Sequence, residues 1–153
     1  MDGLQKSIRD VISGGAPLVV GLRDTVLDVV GAMSDRHQAA ALVATHDGLA
    51  GIFTERDYLV RVVAAGRAPE TTQVGSVMTP DPDTLRLGDN VTFAINRMAV
   101  RGYRNVPIVD EVGHPVALIG VRDIVSHLAE IFSDDLLARS DEAFNDWLDI
   151  GGG

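Results

Sequence analysis

"DTVLDVVGAM" (Asp24–Met33) and "DNVTFAINRM" (Asp89–Met98) are the stretches on which the fold of this chain turns. Both open with Asp, a good helix cap, and then place apolar residues at i, i+3, i+4 and i+7. These are Val26, Val29, Val30 and Met33 in the first copy, and Val91, Ala94, Ile95 and Met98 in the second. That spacing makes one face of an amphipathic helix. The match spreads outward at a constant offset of 65, pairing Pro17 with Pro82, Arg36 with Arg101 and Val43 with Ile108. The second copy then gains one residue, "DEVGHP" against "THDG", and Phe53, Arg56 and Asp57 pair with Ile119, Arg122 and Asp123 at an offset of 66. Near the start, "RDVIS" from Arg9 resembles "GSVMT" from Gly75 at the same offset. A one-residue change at a Gly-containing turn is what a hairpin loop absorbs most easily.

Each half therefore reads as β-α-β-β-α. Short strands are expected around Leu18–Val20 and at Leu85, then the amphipathic helix, strands at Ala41–Ala44 and Val106–Val109, and strands at Leu49–Phe53 and Val116–Ile119. The closing helices are Glu55–Ala65 and Arg122–Phe132. The divisions are a first repeat over 8–66, a linker over 67–73, a second repeat over 74–133 and an acidic tail over 134–153. The fold class is α/β (α+β): two repeats packed with pseudo-twofold symmetry, plus an acidic C-terminal helical tail. A unit of about 60 residues is marginal alone, so the two should pack sheet to sheet around a shared core. Internal symmetry of this kind creates two related clefts, where small ligands bind.

Composition narrows the function. Residues 1–133 carry 12 basic and 16 acidic side chains, and residues 134–153 carry one Arg and six acids, so most of the net charge of −9 sits in the tail. A broad basic surface for nucleic acid is absent, although 12 of the 13 basic residues are Arg, which forks onto phosphate. With no cysteine there are no disulfides, thiolate metal sites or Cys nucleophiles, in keeping with a reducing cytoplasm. No apolar run approaches the roughly 20 residues of a membrane span, and "MDGLQKSIRD" has no signal-peptide core. His37, His46, His114 and His127 show no metal-ligand spacing, and His46 and His114 fall in turns. In the tail, Leu137, Phe144, Trp147 and Leu148 lie close to helical spacing. They suggest an amphipathic helix that covers this chain's core or a dimer partner, or that docks another protein.

The chemistry-bearing stretch is "GIFTERDYL" (Gly51–Leu59). Thr54 and Asp57, three apart at a strand–helix junction, form a capping box by spacing alone. A hydroxyl and a carboxylate at the same junction can also hold a ribose and its phosphate. Both readings stand on these residues. Arg56 between them is either a solvated helix residue or a reach toward phosphate, and Asp123 in the second copy can simply ease the helix dipole.

"VGSVMTPDPDTL", "YRNVPIVDEVGHPVALIGVRDIV" and "GLAGIFTERDYLV" together resemble a tandem pair of CBS domains, a Bateman module, over roughly residues 8–133. The resemblance implies a cleft for an adenosyl ligand such as AMP, ADP, ATP or S-adenosylmethionine, with or without Mg²⁺, and a sensing role without catalysis. It implies that Asp57 takes the ribose hydroxyls, that Thr54 lies near ribose and phosphate, and that Arg56 can reach a phosphate. It implies cross-partners from the second half: Thr79, Thr84, Tyr103, Arg104, Asn105 and Pro107. Tyr103 departs from the aliphatic residue usual there. The reciprocal cleft is degraded in this pattern, since Ala117 replaces Gly, Gly120 replaces the hydroxyl residue, and only Asp123, with Arg122 beside it, remains. Its partners "VISGGAP" and "QAAALVA" depart from the family form as well. A homodimer and an unidentified effector protein are further implications, with no nucleic acid or membrane as partner. The alternative is a ligand-free pair that serves as an oligomerisation or protein–protein scaffold. No nucleophile–base pair or phosphate-binding Gly-rich loop supports a small hydrolase.

Overall fold

Asp24 and Asp89 do not cap the two amphipathic helices; they close the turns before them. In the computed structural model, which describes the backbone of residues 2–151 and the side chains of residues 3–139, Asp24 accepts from the Gly21 amide and Asp89 from the Arg86 amide, both at 2.8 Å. Capping passes to the next residue. Thr25 accepts from the Asp28 amide ahead of α2 (Val26–Asp35), and Asn90 from the Thr92 amide ahead of α4 (Val91–Arg101). The cap lies one residue later than expected because each Asp is already engaged three residues back. At the far ends, His37 and Gly102 occupy equivalent left-handed positions, with φ of 52° and 71°. Gly takes that conformation without a Cβ penalty.

The remaining elements are α1 (Ile8–Val11), β1 (Val19–Val20), β2 (Ala40–Thr45), β3 (Gly48–Thr54), α3 (Glu55–Asp57), β4 (Thr79–Pro80), β5 (Asn105–Val109), β6 (Pro115–Gly120) and α5 (Val121–Gly151). A π-helix over Tyr58–Val63 continues α3. The first sheet has order β1-β2-β3-β4, with β1 parallel to β2 and the other neighbours antiparallel. The second pairs β5 with β6, and Leu85 adds a parallel bridge to Ile108.

The inserted residue is visible in the hairpins. Thr45 pairs with Gly48 around His46 and Asp47, whereas the Asp110 amide bonds the His114 carbonyl around Glu111, Val112 and Gly113. The two tips touch. The Leu49 amide donates to the Gly113 carbonyl at 2.9 Å, and a Cβ on Gly48 would fall 2.7 Å from that oxygen. Asp110 holds the longer tip by accepting from the His114 and Val112 amides at 2.9 and 3.0 Å. The His114 amide, with Val112 and the His114 ring assisting, holds the Asp110 carboxyl below its ordinary value of 3.8. A depressed folded value adds stability above the ordinary value and loses it as pH falls through the folded one. An acid titration of Tm should therefore show wild type and Asp110→Ala separated at neutral pH and converging below about pH 4. Curves separated equally at every pH would remove the ionic contribution.

Each entry segment packs into the opposite half. Ile8 and Val11 are buried with Leu85, Val91, Val106, Ile108 and Ile119, while Val74 and Val77 are buried with Val26, Val29, Phe53 and Val62. A third cluster of Leu42 and Ile52, with Leu49 and Leu118 against it, joins the sheets. Burial of such side chains contributes about 1.5–3 kcal/mol each.

Helix α5 differs most from expectation, running unbroken past Phe132 to Gly151. Buried His127 anchors its base to the N-terminal turn, Nε2 lying 2.8 Å from the Gly3 carbonyl. Farther along, Phe132, Leu136 and Leu137 are 63, 67 and 64% exposed, so these side chains are not buried in the core. The side chains of Phe144, Trp147 and Leu148 lie outside the described residues. Among the described residues no helix is long and apolar enough to cross a membrane.

Candidate ligand-binding cleft

Strand β3 delivers Thr54 to the start of α3 with extended backbone (φ −115°, ψ 166°), which leaves its hydroxyl over the first helical turn. Thr54 Oγ1 accepts from the Asp57 amide at 3.2 Å, and Asp57 Oδ2 accepts from the Thr54 amide at 3.0 Å and hydroxyl at 3.1 Å. The capping box is complete. The Asp57 carboxylate does more than cap, because Thr79 of β4 donates its hydroxyl to Oδ1 at 3.2 Å. With Asp57 only 8% exposed, this hydroxyl–carboxylate contact is a half-buried bond between the two repeats.

Gly51 makes that approach feasible. Its neighbours across the β3–β4 pairing are Pro80 and, one residue on, Thr79 opposite Ile52. A Cβ at Gly51 would lie 2.5 Å from Met78 Sδ and 2.7 Å from the Thr79 carbonyl. At the equivalent position in β6 stands Ala117, and among the described residues no N-terminal strand pairs with β6. A methyl group stands there where the first sheet has bare backbone beside β4, while the counterpart of β1 is reduced to the Leu85 bridge.

The second junction repeats the geometry with different residues. Asp123 Oδ2 accepts from the Gly120 amide at 2.8 Å, and Oδ1 accepts from the Ser13 hydroxyl at 2.8 Å and amide at 3.3 Å. Ser13 stands 66 residues before Thr79, so "VISGGAP" does supply a hydroxyl to the reciprocal junction. The same offset that aligns "RDVIS" with "GSVMT" could have found it. Among the described residues, the hydroxyl lost at Gly120 has no such replacement.

Among the expected site residues, the structure brings Thr54, Asp57 and Thr79 together. Arg56 is exposed on α3, and among the described residues it has no hydrogen bond or ion pair. Thr84 lies on the rim of a separate polar cavity of about 650 Å³, with Arg86, Asp89 and Asp110. Tyr103, Arg104, Asn105 and Pro107 make no hydrogen bond to Thr54 or Asp57 among the described residues. They run beside the second junction. The Arg104 carbonyl accepts from the Val121 amide at 2.9 Å, Asn105 is paired with Gly120, and Pro107 with Leu118. A Cβ on Gly120 would lie 3.3 Å from Asn105 Oδ1, which places that side chain near Asp123. Arg122 is exposed there, as Arg56 is at the first junction.

Arg61 was not anticipated, although its i+4 spacing from Asp57 was legible. Its Nε lies 3.6 Å from Asp57 Oδ1, and its Nη1 donates to the Met78 carbonyl at 2.6 Å. It thereby sets a positive charge beside the half-hidden carboxylate. Beyond it, α2, Gln38, Glu55 and Tyr58 bound a cavity of about 570 Å³. Among the described residues no group of three or more His, Asp or Glu side chains could hold a metal ion.

Relatives were compared with this geometry in view. The meiotically up-regulated gene 70 protein of Schizosaccharomyces pombe is 37% identical over 117 residues, covering 76% of this chain and 16% of that protein. The CBS domain-containing protein CBSCBSPB5 of Arabidopsis thaliana is 34% identical, covering 84% of this chain and 23% of that protein. The chain thus spans less than a quarter of the length of either. A CBS domain protein of Pyrobaculum aerophilum, solved in complex with AMP, superposes with a TM-score of 0.73 at 19% identity, over 84% of this chain and 99% of that one. A CBS domain pair solved with 5′-methylthioadenosine and S-adenosyl-L-methionine gives 0.70 at 18%, over 79% and 98%. At these identities the likeness establishes the shared fold. The CBS domain family model matches residues 8–64 and again residues 74–130, and with both matches lying on the two structural repeats, this chain belongs to the CBS domain family as a tandem pair.

Proposed function

We propose that the pair is a non-catalytic regulatory module that binds an adenosyl ligand, AMP, ADP, ATP or S-adenosylmethionine, at the junction of its repeats. The observation that carries this reading is the Asp57 carboxylate, presented at a helix start and bridged to the other repeat by Thr79. A carboxylate accepts two vicinal ribose hydroxyls, and a phosphate nearby is favoured by exposed Arg56. The ligands of the two solved CBS proteins belong to the same chemical class. Binding across the repeats would bias the geometry between them, and an effector protein would read that bias. Exposed Leu59, Val60 and Val63 on the first half and Val125 on the second support a homodimer as the working unit. A cytoplasmic setting accords with the absence of cysteine.

The competing reading is a ligand-free scaffold, favoured by the fact that Asp57 already has partners within the chain: Thr54, Thr79 and Arg61. Calorimetric titration with AMP, ADP, ATP and S-adenosylmethionine separates the two. The expected result is one tighter site at Asp57 and a weaker one at Asp123, which keeps Ser13 but lacks a hydroxyl at Gly120. Two equal sites would remove the asymmetry. No heat and no thermal shift with any of the four would favour the scaffold, because a ligand at 100 times its Kd adds about 2.7 kcal/mol.

A further inference from the structure

The two oxygens of Asp57 are not equally available. Oδ2 is taken up by the amide and hydroxyl of Thr54 within the capping box. Oδ1 meets the Thr79 hydroxyl at 3.2 Å and Arg61 Nε at 3.6 Å. The same guanidinium donates to the carbonyl of Met78, the residue immediately before β4. One side chain therefore ties the carboxylate of the first repeat to the strand that the second repeat sends across. Arg61 is 45% exposed where Asp57 is 11% exposed by side chain, so the cation covers the carboxylate from the solvent side. It is carried by the π-helix over Tyr58–Val63, a local widening of the helix of the kind found at functional sites.

We infer that Arg61 is a displaceable latch: in the empty protein it occupies Asp57 Oδ1 and tethers β4, and the diol of an entering ligand competes with it for that oxygen. This rests on Asp57 being the hydroxyl acceptor of the ligand. A carboxylate this buried is costly without a counter-charge, so Arg61 stabilises the empty state selectively. When hydroxyls take over Oδ1, the guanidinium leaves and releases the Met78 carbonyl. Occupancy is then transmitted to β4, the element joining the repeats. A ligand shifts a conformational balance only by interacting differently with its two states, and this lost tether supplies such a difference.

Arg61→Met keeps the aliphatic stem and removes the cation. Calorimetry with adenosine, which has the diol but no phosphate, and with AMP should show both binding about fivefold tighter to the variant, the scale of one partly exposed ion pair. Without ligand, hydrogen exchange across the β3–β4 pairing should quicken in the variant. Weaker AMP binding with adenosine unchanged would make Arg61 a phosphate ligand and overturn the latch, as would unchanged affinity for both. If neither protein binds adenosine or AMP, the nucleotide reading fails and the competition fails with it. Unchanged exchange at β4 would separately overturn the tether.

Discussion

Asp57→Ala should lower AMP affinity by about 100-fold, because two hydrogen bonds from the ribose to a charged acceptor, at about 1.5 kcal/mol or more each, disappear together. It should also destabilise the unliganded protein. The capping box is worth about 1 kcal/mol. Thr79 loses its partner as well, adding about 1–2 kcal/mol for a half-buried hydroxyl left unpaired. For a chain of this size the sum corresponds to a fall in Tm of about 5–10 °C. Asp57→Asn separates the two roles. Its side-chain oxygen still accepts from Thr54, so most of the stability should survive, while the loss of charge keeps ligand affinity at least about tenfold down. Titration and thermal melts of both variants are the check. Wild-type affinity in either one would return Asp57 to a purely structural part.

Gly51→Ala should produce the largest structural change of any single methyl group in the cleft. The added Cβ would sit 2.5 Å from Met78 Sδ and 2.7 Å from the Thr79 carbonyl, and the second contact is to backbone, which cannot rotate aside. Strand β4 must move off β3, at a cost of about 1–3 kcal/mol. Thr79 travels with it, so the bridge to Asp57 lengthens and ligand affinity falls in parallel. The first half would come to resemble the second, where Ala117 already stands and, among the described residues, β6 has no such neighbour. Faster hydrogen exchange at Ile52 together with a lowered Tm is the expected signature. Unchanged exchange and melting would mean that β4 accommodates the methyl and that the glycine is not what admits the strand.

Much of this was legible because the chain repeats itself. The shared helix pattern and the one-residue difference between the hairpins follow from offsets of 65 and 66, whereas the strand expected at Leu85 is only a single bridge to Ile108. The residues by themselves do not say which half each entry segment joins; only the family resemblance implied the exchange, by setting Thr79 against Thr54 and Asp57. "RDVIS" and "GSVMT" are alike in sequence, yet nothing local says that Ile8 and Val11 are buried with Ile119, or Val77 with Phe53. That choice is made by packing at long range. The helix caps were misplaced by one residue for the opposite reason, since Asp24 and Asp89 each had a nearer amide to bind. The resemblance sets Thr54, Asp57 and Thr79 together; Ser13 follows from the same 66-residue offset and Arg61 from its i+4 spacing to Asp57, but neither signal by itself singles the residue out. The strand from Asn105 to Pro107 pairs with β6 and runs beside Gly120, and its expected part at the first junction is a matter for ligand titration.

The exchange of entry segments also sets an order of events when the chain is made. Ser13 bonds Asp123 across 110 residues, and His127 reaches Gly3 across 124. Contacts so distant make for slow folding, since the loop must close before any of them forms. At about 5–20 residues per second of synthesis, Ile8 and Val11 wait about 5–20 s for the strand that will bury them. The first repeat meets a shorter delay, becoming complete once Val77 has emerged. A nascent chain arrested shortly after Val77 should therefore already protect Phe53 while its own first dozen residues remain open to protease.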